Sequence, residues 1–326
     1  MPELVERISA ELNVPEDGLR SALEQAFTRY KKFSIPKRSG GKRTIIQPSA
    51  EIKLIQQWLS RHLFVLLPVN PIASAYTLGS SILRNAAVHA NSLYGVRVDF
   101  SDFFNSISFE DLKLYVTSVW AANPTFLISD DLWHLIRRAC FDRAGFLPVG
   151  YPTSPTISNM VMHSLDSRTV ALVNSAPETF GKCALTRYAD DVIFSTNKRG
   201  ACLQFVRMFS ELVAEHNSPC LRINDSKTKY MSRAGGSMFV TGLRIRADGY
   251  PTLHRAYKDH VRLMLSLLNK DRLPMSEFAS LIGHLSYISS VDGAFLTKLA
   301  FKYSIDTVSL RAKLYGADQM PAASGG

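Results

Sequence analysis

The run Cys183-Ala184-Leu185-Thr186-Arg187-Tyr188-Ala189-Asp190-Asp191-Val192-Ile193-Phe194-Ser195 decides the fold. Apolar positions flank a polar tip, with Leu185 before it and Val192, Ile193 and Phe194 after it. That pattern predicts two short strands joined by a tight turn. Two adjacent carboxylates at such a tip repel each other and need a cation or protons. A bare Asp-Asp pair is commonly just a solvated turn, but a second strand here carries a third carboxylate. Gly95-Val96-Arg97-Val98-Asp99-Phe100 alternates with period two, so Val96, Val98 and Phe100 share one face and Arg97 and Asp99 the other. Asp99, Asp190 and Asp191 on two neighbouring strands suit hard cations that take oxygen ligands. Two Mg²⁺ ions are expected, with Mn²⁺ as a substitute. The matching chemistry is phosphoryl transfer, in which metal activates the attacking hydroxyl and stabilises the leaving group. The protein then contributes positioning and charge.

Composition agrees with a nucleic-acid partner. The 326 residues carry 38 Lys+Arg against 28 Asp+Glu, a net charge of +10. A hydrophobic share of 46% is enough for a large core or a few subdomains. No apolar run has the length a membrane span needs, and the first residues show no signal-peptide pattern. Cys140, Cys183, Cys202 and Cys220 form no CxxC pair and no zinc spacing, which points to a reduced, cytoplasmic protein.

Along the chain, residues 3–33 read as short helices. Gly40-Gly41 within a basic, β-prone segment predicts a hairpin. Ile52, Leu54, Ile55, Trp58, Leu59 and Leu63 recur at helical spacing. Ser108-Phe109-Glu110-Asp111 resembles a capping box, with Asp at its closing position. One helix is expected over 156–173, another over 201–216, and a strand over Phe239–Ile245. In the final helical region Tyr257, Val261, Met264, Leu265 and Leu268 form an apolar stripe beside Arg255, Lys258 and Arg262. The last residues, from Met320, are expected to be disordered.

These motifs, in this order, resemble the reverse transcriptase family. Tyr188-Ala189-Asp190-Asp191 and Asp99-Phe100-Ser101-Asp102-Phe103-Phe104 are similar to its two palm carboxylate motifs. The resemblance implies metal ligation by Asp99, Asp190 and Asp191 and a nucleotide contact at Asp102. It places Phe104 where an aromatic ring excludes a ribose 2′-hydroxyl. Leu147 to Pro155 resembles the loop that contacts template and nucleotide, with Gly150 in the family position. Val149 departs from the family's Gln, and valine cannot hydrogen-bond a nucleotide. Asn224-Asp225-Ser226-Lys227-Thr228 resembles the motif whose lysine approaches the departing pyrophosphate, so Lys227 is a candidate general acid. Arg43 matches an arginine that contacts the triphosphate, with Lys42, Lys37 and Arg38 close in sequence.

Asn85-Ala86-Ala87-Val88-His89 and Val240-Thr241-Gly242 are similar to two segments of the bacterial retron branch. That likeness implies RNA contacts at Asn85, His89, Val240, Thr241 and Gly242, joined by the basic face of Arg255, Lys258 and Arg262. It further implies a cognate structured non-coding RNA, deoxynucleoside triphosphates, an RNA-linked DNA product and an effector protein of a defence system. The expected fold is α+β: a right hand with an antiparallel palm sheet backed by helices, a helical thumb and no RNase H domain. Fingers are assigned to 1–94, palm to 95–246 with a fingers excursion at 112–150, thumb to 247–316 and tail to 317–326. Two other readings remain open at this point. One is a diversity-generating or abortive-infection reverse transcriptase; the other is a non-catalytic RNA-binding scaffold.

Overall fold

The computed structural model describes residues 2–36, 40–122, 128–236 and 238–305. Lys37, Arg38, the end of the expected thumb and the expected tail lie outside them. From the N-terminus, α1 (Pro2–Leu12) and α2 (Glu16–Glu24) precede β1 (Tyr30–Pro36), β2 (Lys42–Pro48) and α3 (Ala50–His62). Then come α4 (Ile82–Val88), β3 (Tyr94–Asp99), α5 (Phe109–Ala122), α6 (Asp130–Cys140), α7 (Ser154–Val161), α8 (His163–Ser175) and α9 (Pro177–Phe180). The strands β4 (Cys183–Tyr188) and β5 (Asp191–Thr196) lead to α10 (Ala201–Ala214) and β6 (Lys229–Ser232). The remainder is β7 (Phe239–Val240), β8 (Leu243–Ile245), β9 (Pro251–Thr252), α11 (Arg255–Leu268), α12 (Phe278–Val291) and α13 (Gly293–Tyr303). Among the described residues no helix is long and apolar enough to cross a membrane.

The chain divides into two compact units: Met1–Ser80 with Tyr94–Tyr230, and Ser81–Leu93 with Met231–Gly326. The first holds a sheet in the order β4-β5-β3-β6, with β3 and β4 antiparallel to β5. α10 backs it through an aromatic stack: Phe194 lies 4.4 Å from Phe205, and Phe205 lies 5.3 Å from Phe209. All three rings are fully buried, each contributing about 1.5–3 kcal/mol by leaving water. The β1–β2 hairpin is antiparallel, as the glycine pair predicts.

The Ser108–Asp111 box forms: the Ser108 N–H donates to Asp111 Oδ2 at 2.7 Å, and the Asp111 N–H to Ser108 Oγ at 3.2 Å. It opens α5 where the chain leaves the sheet. The excursion through α5 and α6 closes on itself at an antiparallel bridge between Ser108 and Phe146. The Phe109 N–H donates to the Gly145 carbonyl at 2.8 Å, and the Leu147 N–H to the Ile107 carbonyl at 3.0 Å.

Three expectations change. The short helices over 3–33 end at Glu24, and Tyr30 already opens β1. The helix over 156–173 is two helices meeting at Met162; no Gly or Pro marks the break, and Met162 is fully buried, so its cause is tertiary packing. The strand over Phe239–Ile245 is a hairpin of β7 and β8. Thr241 and Gly242 form its turn at φ 46° and 81°, the pair of positive φ values that a two-residue hairpin needs. Such a conformation costs threonine about 1–2 kcal/mol, offset where Thr241 Oγ1 donates to the Ile82 carbonyl at 3.0 Å. In this second unit β7, β8 and β9 form a sheet in that order, against α4. Val261, Met264 and Leu265 of α11 are buried with Leu281, Leu285 and Ile288 of α12.

Candidate active site

β3 and β5 pair so that Asp99 stands opposite Asp191, while β4 pairs Tyr188 with Asp191. Ala189 and Asp190 bridge the two strands, with Ala189 at φ 57°. The Phe100 N–H donates to the Asp190 carbonyl at 3.1 Å, tying the turn to the end of β3. The segment after α10 closes the other side. There the Asn224 N–H donates to the Asp99 carbonyl at 2.8 Å, and Lys227 Nζ donates to Asp99 Oδ2 at 2.8 Å. One sheet end therefore collects Asp99, Asp190, Asp191 and Lys227.

The electrostatics are unresolved within the protein itself. Burial pushes the Asp191 carboxyl up to about 6, with Asp190 and Asp99 pushing the same way against Arg97 and Lys227. Burial also raises Asp190, with Asp99 adding to the rise and Lys227 and Arg43 opposing it. Arg97 Nε stands 3.6 Å from Asp191 Oδ1, too far for a hydrogen bond. Both atoms are buried and lack a hydrogen-bond partner. Among the described residues no three His, Cys, Asp or Glu side chains already cage an ion, and Asp99 is turned to Lys227. The donor set still fits Mg²⁺, which is held by a few carboxylates together with waters and substrate phosphates rather than by an all-protein cage. An Asp191 Oδ1 without a hydrogen-bond partner and two raised carboxyls are what such an ion would satisfy.

The residues expected on the nucleotide side are placed as follows. Asp102 is exposed at φ 46° and leads into the turn Phe103–Ser106. Phe103 is buried, whereas Phe104 is partly exposed and meets it edge-on at 5.4 Å. The exposed aromatic is thus Phe104. Gly150 lies against β2 at φ 112°; a Cβ there would sit 2.7 Å from Ile45 Cγ2 and 2.7 Å from the Ile46 carbonyl. The Ile46 N–H donates to the Val149 carbonyl at 2.8 Å, so the loop is fastened by backbone whatever residue stands at 149. Arg43 is exposed on β2, and its charge reaches Asp190 and Tyr76.

In the second unit the residues chosen as RNA contacts divide. Asn85, His89 and Val240 are buried at 2%, 0% and 0% exposure, so in the chain by itself their side chains present little surface to an RNA. Burial holds the His89 imidazole down at about 4, neutral at physiological pH. Thr241 is partly exposed and Gly242 exposed at the turn. Lys258 Nζ is committed inward, at 2.8 Å from Asp292 Oδ2 and 2.6 Å from Thr252 Oγ1. Arg255 is open to solvent, while Arg262 is half exposed and pairs with Asp259 at 2.6 Å. These three line an open cavity of about 500 Å³ together with Arg244 and Arg246, which sequence reasoning missed. It also missed Tyr76, which carries no sequence signal, and the Arg97–Asp191 approach, which the shared strand face of Arg97 and Asp99 foreshadows.

Residues 35–271 match the family described as reverse transcriptase (RNA-dependent DNA polymerase). The chain is 40% identical over 290 residues to the retron Ec73 reverse transcriptase of Escherichia coli, covering 88% of this chain and 90% of that protein. It is 30% identical over 286 residues to the retron Ec83 reverse transcriptase of Escherichia coli, covering 86% and 89%. Among solved structures, telomerase from Candida albicans in complex with a fragment of telomeric RNA matches with a TM-score of 0.50 at 12% identity. That match covers 88% of this chain and 61% of the telomerase chain, and it speaks for the fold alone. With three carboxylates converging at the end of an antiparallel sheet and relatives matched over nearly its full length, the chain belongs to the reverse transcriptase family, in its retron branch, as an RNA-directed DNA polymerase.

Proposed function

We propose that this polymerase copies one structured non-coding RNA that it recognises itself, and that the DNA product stays joined to that RNA through a 2′-hydroxyl. The observation that carries the chemistry is the register of Asp99 opposite Asp191, with Asp190 at the adjoining turn. Asp99, Asp190 and Asp191 are the ligands for Mg²⁺, which Mn²⁺ can replace. When bound, the metal supplies charge stabilisation at the attacking hydroxyl and at the departing pyrophosphate.

The remaining roles belong to side chains. Lys227 neutralises Asp99 before substrate arrives; with Asp99 engaged by metal, its half-exposed ammonium is free to donate a proton to the pyrophosphate oxygen. Arg43 faces the triphosphate, Asp102 and Gly150 bound the nucleotide, and the Phe104 ring excludes a 2′-hydroxyl. Fingers are assigned to 1–94, palm to 95–246 with a fingers excursion at 112–150, and thumb to 247–316. The thumb's exposed arginines, with Arg244 and Arg246, follow an RNA–DNA backbone by charge. Thr241 and Gly242 offer the exposed part of the branch-specific segment, and selectivity there rests on shape and 2′-hydroxyls. The four cysteines are free, in keeping with a reducing cytoplasmic setting. As in its branch, a defence role with an effector protein completes the reading.

The test uses protein purified with its copurifying RNA, given deoxynucleoside triphosphates and Mg²⁺ without added primer. The expected product is DNA whose 5′ end stays blocked after RNA hydrolysis, by the branch nucleotide that lacks a free 2′-hydroxyl, and is freed only by cleavage of the 2′–5′ bond. DNA with a free 5′ end, or synthesis only after a primer is added, overturns the self-priming reading.

A further inference from the structure

Arg187 is fully buried in β4, three residues before Asp190. Its guanidinium grips Asp166 of α8 with both arms: Nε donates to Oδ1 at 2.8 Å and Nη2 to Oδ2 at 2.7 Å. Asp166 is itself sealed, its side chain 3% exposed. The third nitrogen, Nη1, donates to Asn159 Oδ1 at 3.1 Å and to the carbonyl of Ala189 at 3.1 Å. The surrounding backbone is pinned as well. The Arg187 N–H donates to the Ile72 carbonyl at 2.7 Å, and the Arg187 carbonyl accepts from the Ser74 N–H at 2.8 Å. Asn159 Nδ2 donates to the Ala75 carbonyl at 2.8 Å.

Stability alone is a poor account of this network. Sealing both charges costs desolvation, and apolar residues of similar volume commonly support a fold equally well. What an apolar residue cannot do is hold the Ala189 carbonyl. Ala189 sits at φ 57°, in the left-handed region that strains any residue with a side chain. It is also half of the turn that aims Asp190 and Asp191. The cations whose fields act on those carboxyls are Lys227, Arg43 and Arg97; the Arg187 charge is spent on Asp166. Its influence on the site is therefore geometric.

We propose that Arg187, Asp166 and Asn159 are positioning residues, a buried clamp that holds Ala189 left-handed and thereby sets the Asp190–Asp191 turn in the geometry that takes metal. The proposal rests on the reading of Asp190 and Asp191 as metal ligands. Outer groups that orient ligands in this way typically govern metal affinity by about 10- to 100-fold.

The test compares the wild type with the double variant Arg187→Met/Asp166→Leu, which removes both charges while filling the space, and with Arg187→Lys, which keeps the charge but loses the fork. Three readouts are taken on RNA-free protein and on the RNA complex: amide hydrogen exchange across residues 188–192, Mn²⁺ binding by electron paramagnetic resonance, and single-turnover extension. In the double variant, cooperative unfolding and RNA affinity are retained, exchange at the turn rises about tenfold or more, and Mn²⁺ binding weakens about 10- to 100-fold with extension falling in parallel. A folded double variant with wild-type turn exchange and wild-type Mn²⁺ affinity overturns the clamp. Should the double variant not fold, Arg187→Lys decides by the same readouts and the same rule. Failure of the metal reading is distinguishable: Asp190→Asn would then leave Mn²⁺ binding intact, while exchange at the turn still reports on Arg187.

Discussion

Residues singled out by their motifs meet opposite conditions in the two units. At the sheet end of the first, Asp190 and Asp191 are pushed up toward protonation, and Asp191 Oδ1 and Arg97 Nε form an ion pair at 3.6 Å without a hydrogen bond. In the second, His89 is sealed and neutral, Thr241 Oγ1 is bonded to Ile82, and Lys258 is held between Asp292 and Thr252. A chain satisfies the polar groups it stands on, because each one buried without a partner costs free energy. Asp191 Oδ1 at the sheet end is such a group, as are Gln56 Oε1 and Thr153 Oγ1 in the same unit and Arg244 Nε in the other.

The largest effect expected from this contrast is at Asp190. Asp190→Asn removes a carboxylate whose charge burial already disfavours, so the thermal midpoint holds or rises while primer extension falls about 10³-fold or more, several kcal/mol of charge stabilisation. Extension within tenfold of wild type would break the comparison at its strongest point. Next in size, Lys258→Met strands the buried Asp292 carboxylate and costs about 3–5 kcal/mol in denaturant unfolding. Arg255→Ala, on the same helix but exposed, changes stability by less than about 0.5 kcal/mol. It instead weakens RNA binding and reduces the salt slope by about 1. Reversed outcomes for these two would exchange their roles.

His89 sharpens the contrast through pH. Its folded-state pKa is depressed to about 4 from 6.5, so the unfolded chain binds the extra proton in between. Stability from this group is full above 6.5 and is lost as pH falls from 6.5 toward 4. Between pH 7 and pH 5 this amounts to about 2 kcal/mol. Urea titrations at the two values should show that His89→Leu loses most of this acid sensitivity; an unchanged difference would place the acid-sensitive group elsewhere. An effect smaller than those at Asp190 and Lys258 is expected at Phe104. Phe104→Ala should raise ribonucleotide over deoxynucleotide incorporation about tenfold in single-turnover assays, the scale of a modest steric discrimination.

The carboxylate site was legible because strand alternation and a two-residue tip fix register over a short span. Val96, Val98 and Asp99 could fall in only one way once one face was buried. The Ser108–Asp111 box was legible for a similar reason, being wholly local. Arg187 was not: from the sequence it is one charge among the apolar residues of β4, and its partners Asp166 and Asn159 lie 21 and 28 residues away. The β7–β8 turn was missed because Thr241 is an unfavourable residue for positive φ, and its compensating bond reaches back 159 residues. The burial of Asn85 and His89 was not legible either, because a motif marks a residue without saying which way its side chain points.

The bridge between Ser108 and Phe146 has a further consequence. It brings together the two ends of an excursion that carries α5 and α6. Because those ends already meet, added length enters a loop that is closed, and doubling such a loop costs only about 0.6 kcal/mol in closure entropy. Insertions or deletions inside the excursion are expected to leave the register of β3 against β5 unshifted. Growth in chain length is thereby uncoupled from register: the excursion can be rebuilt while Asp99 remains opposite Asp191.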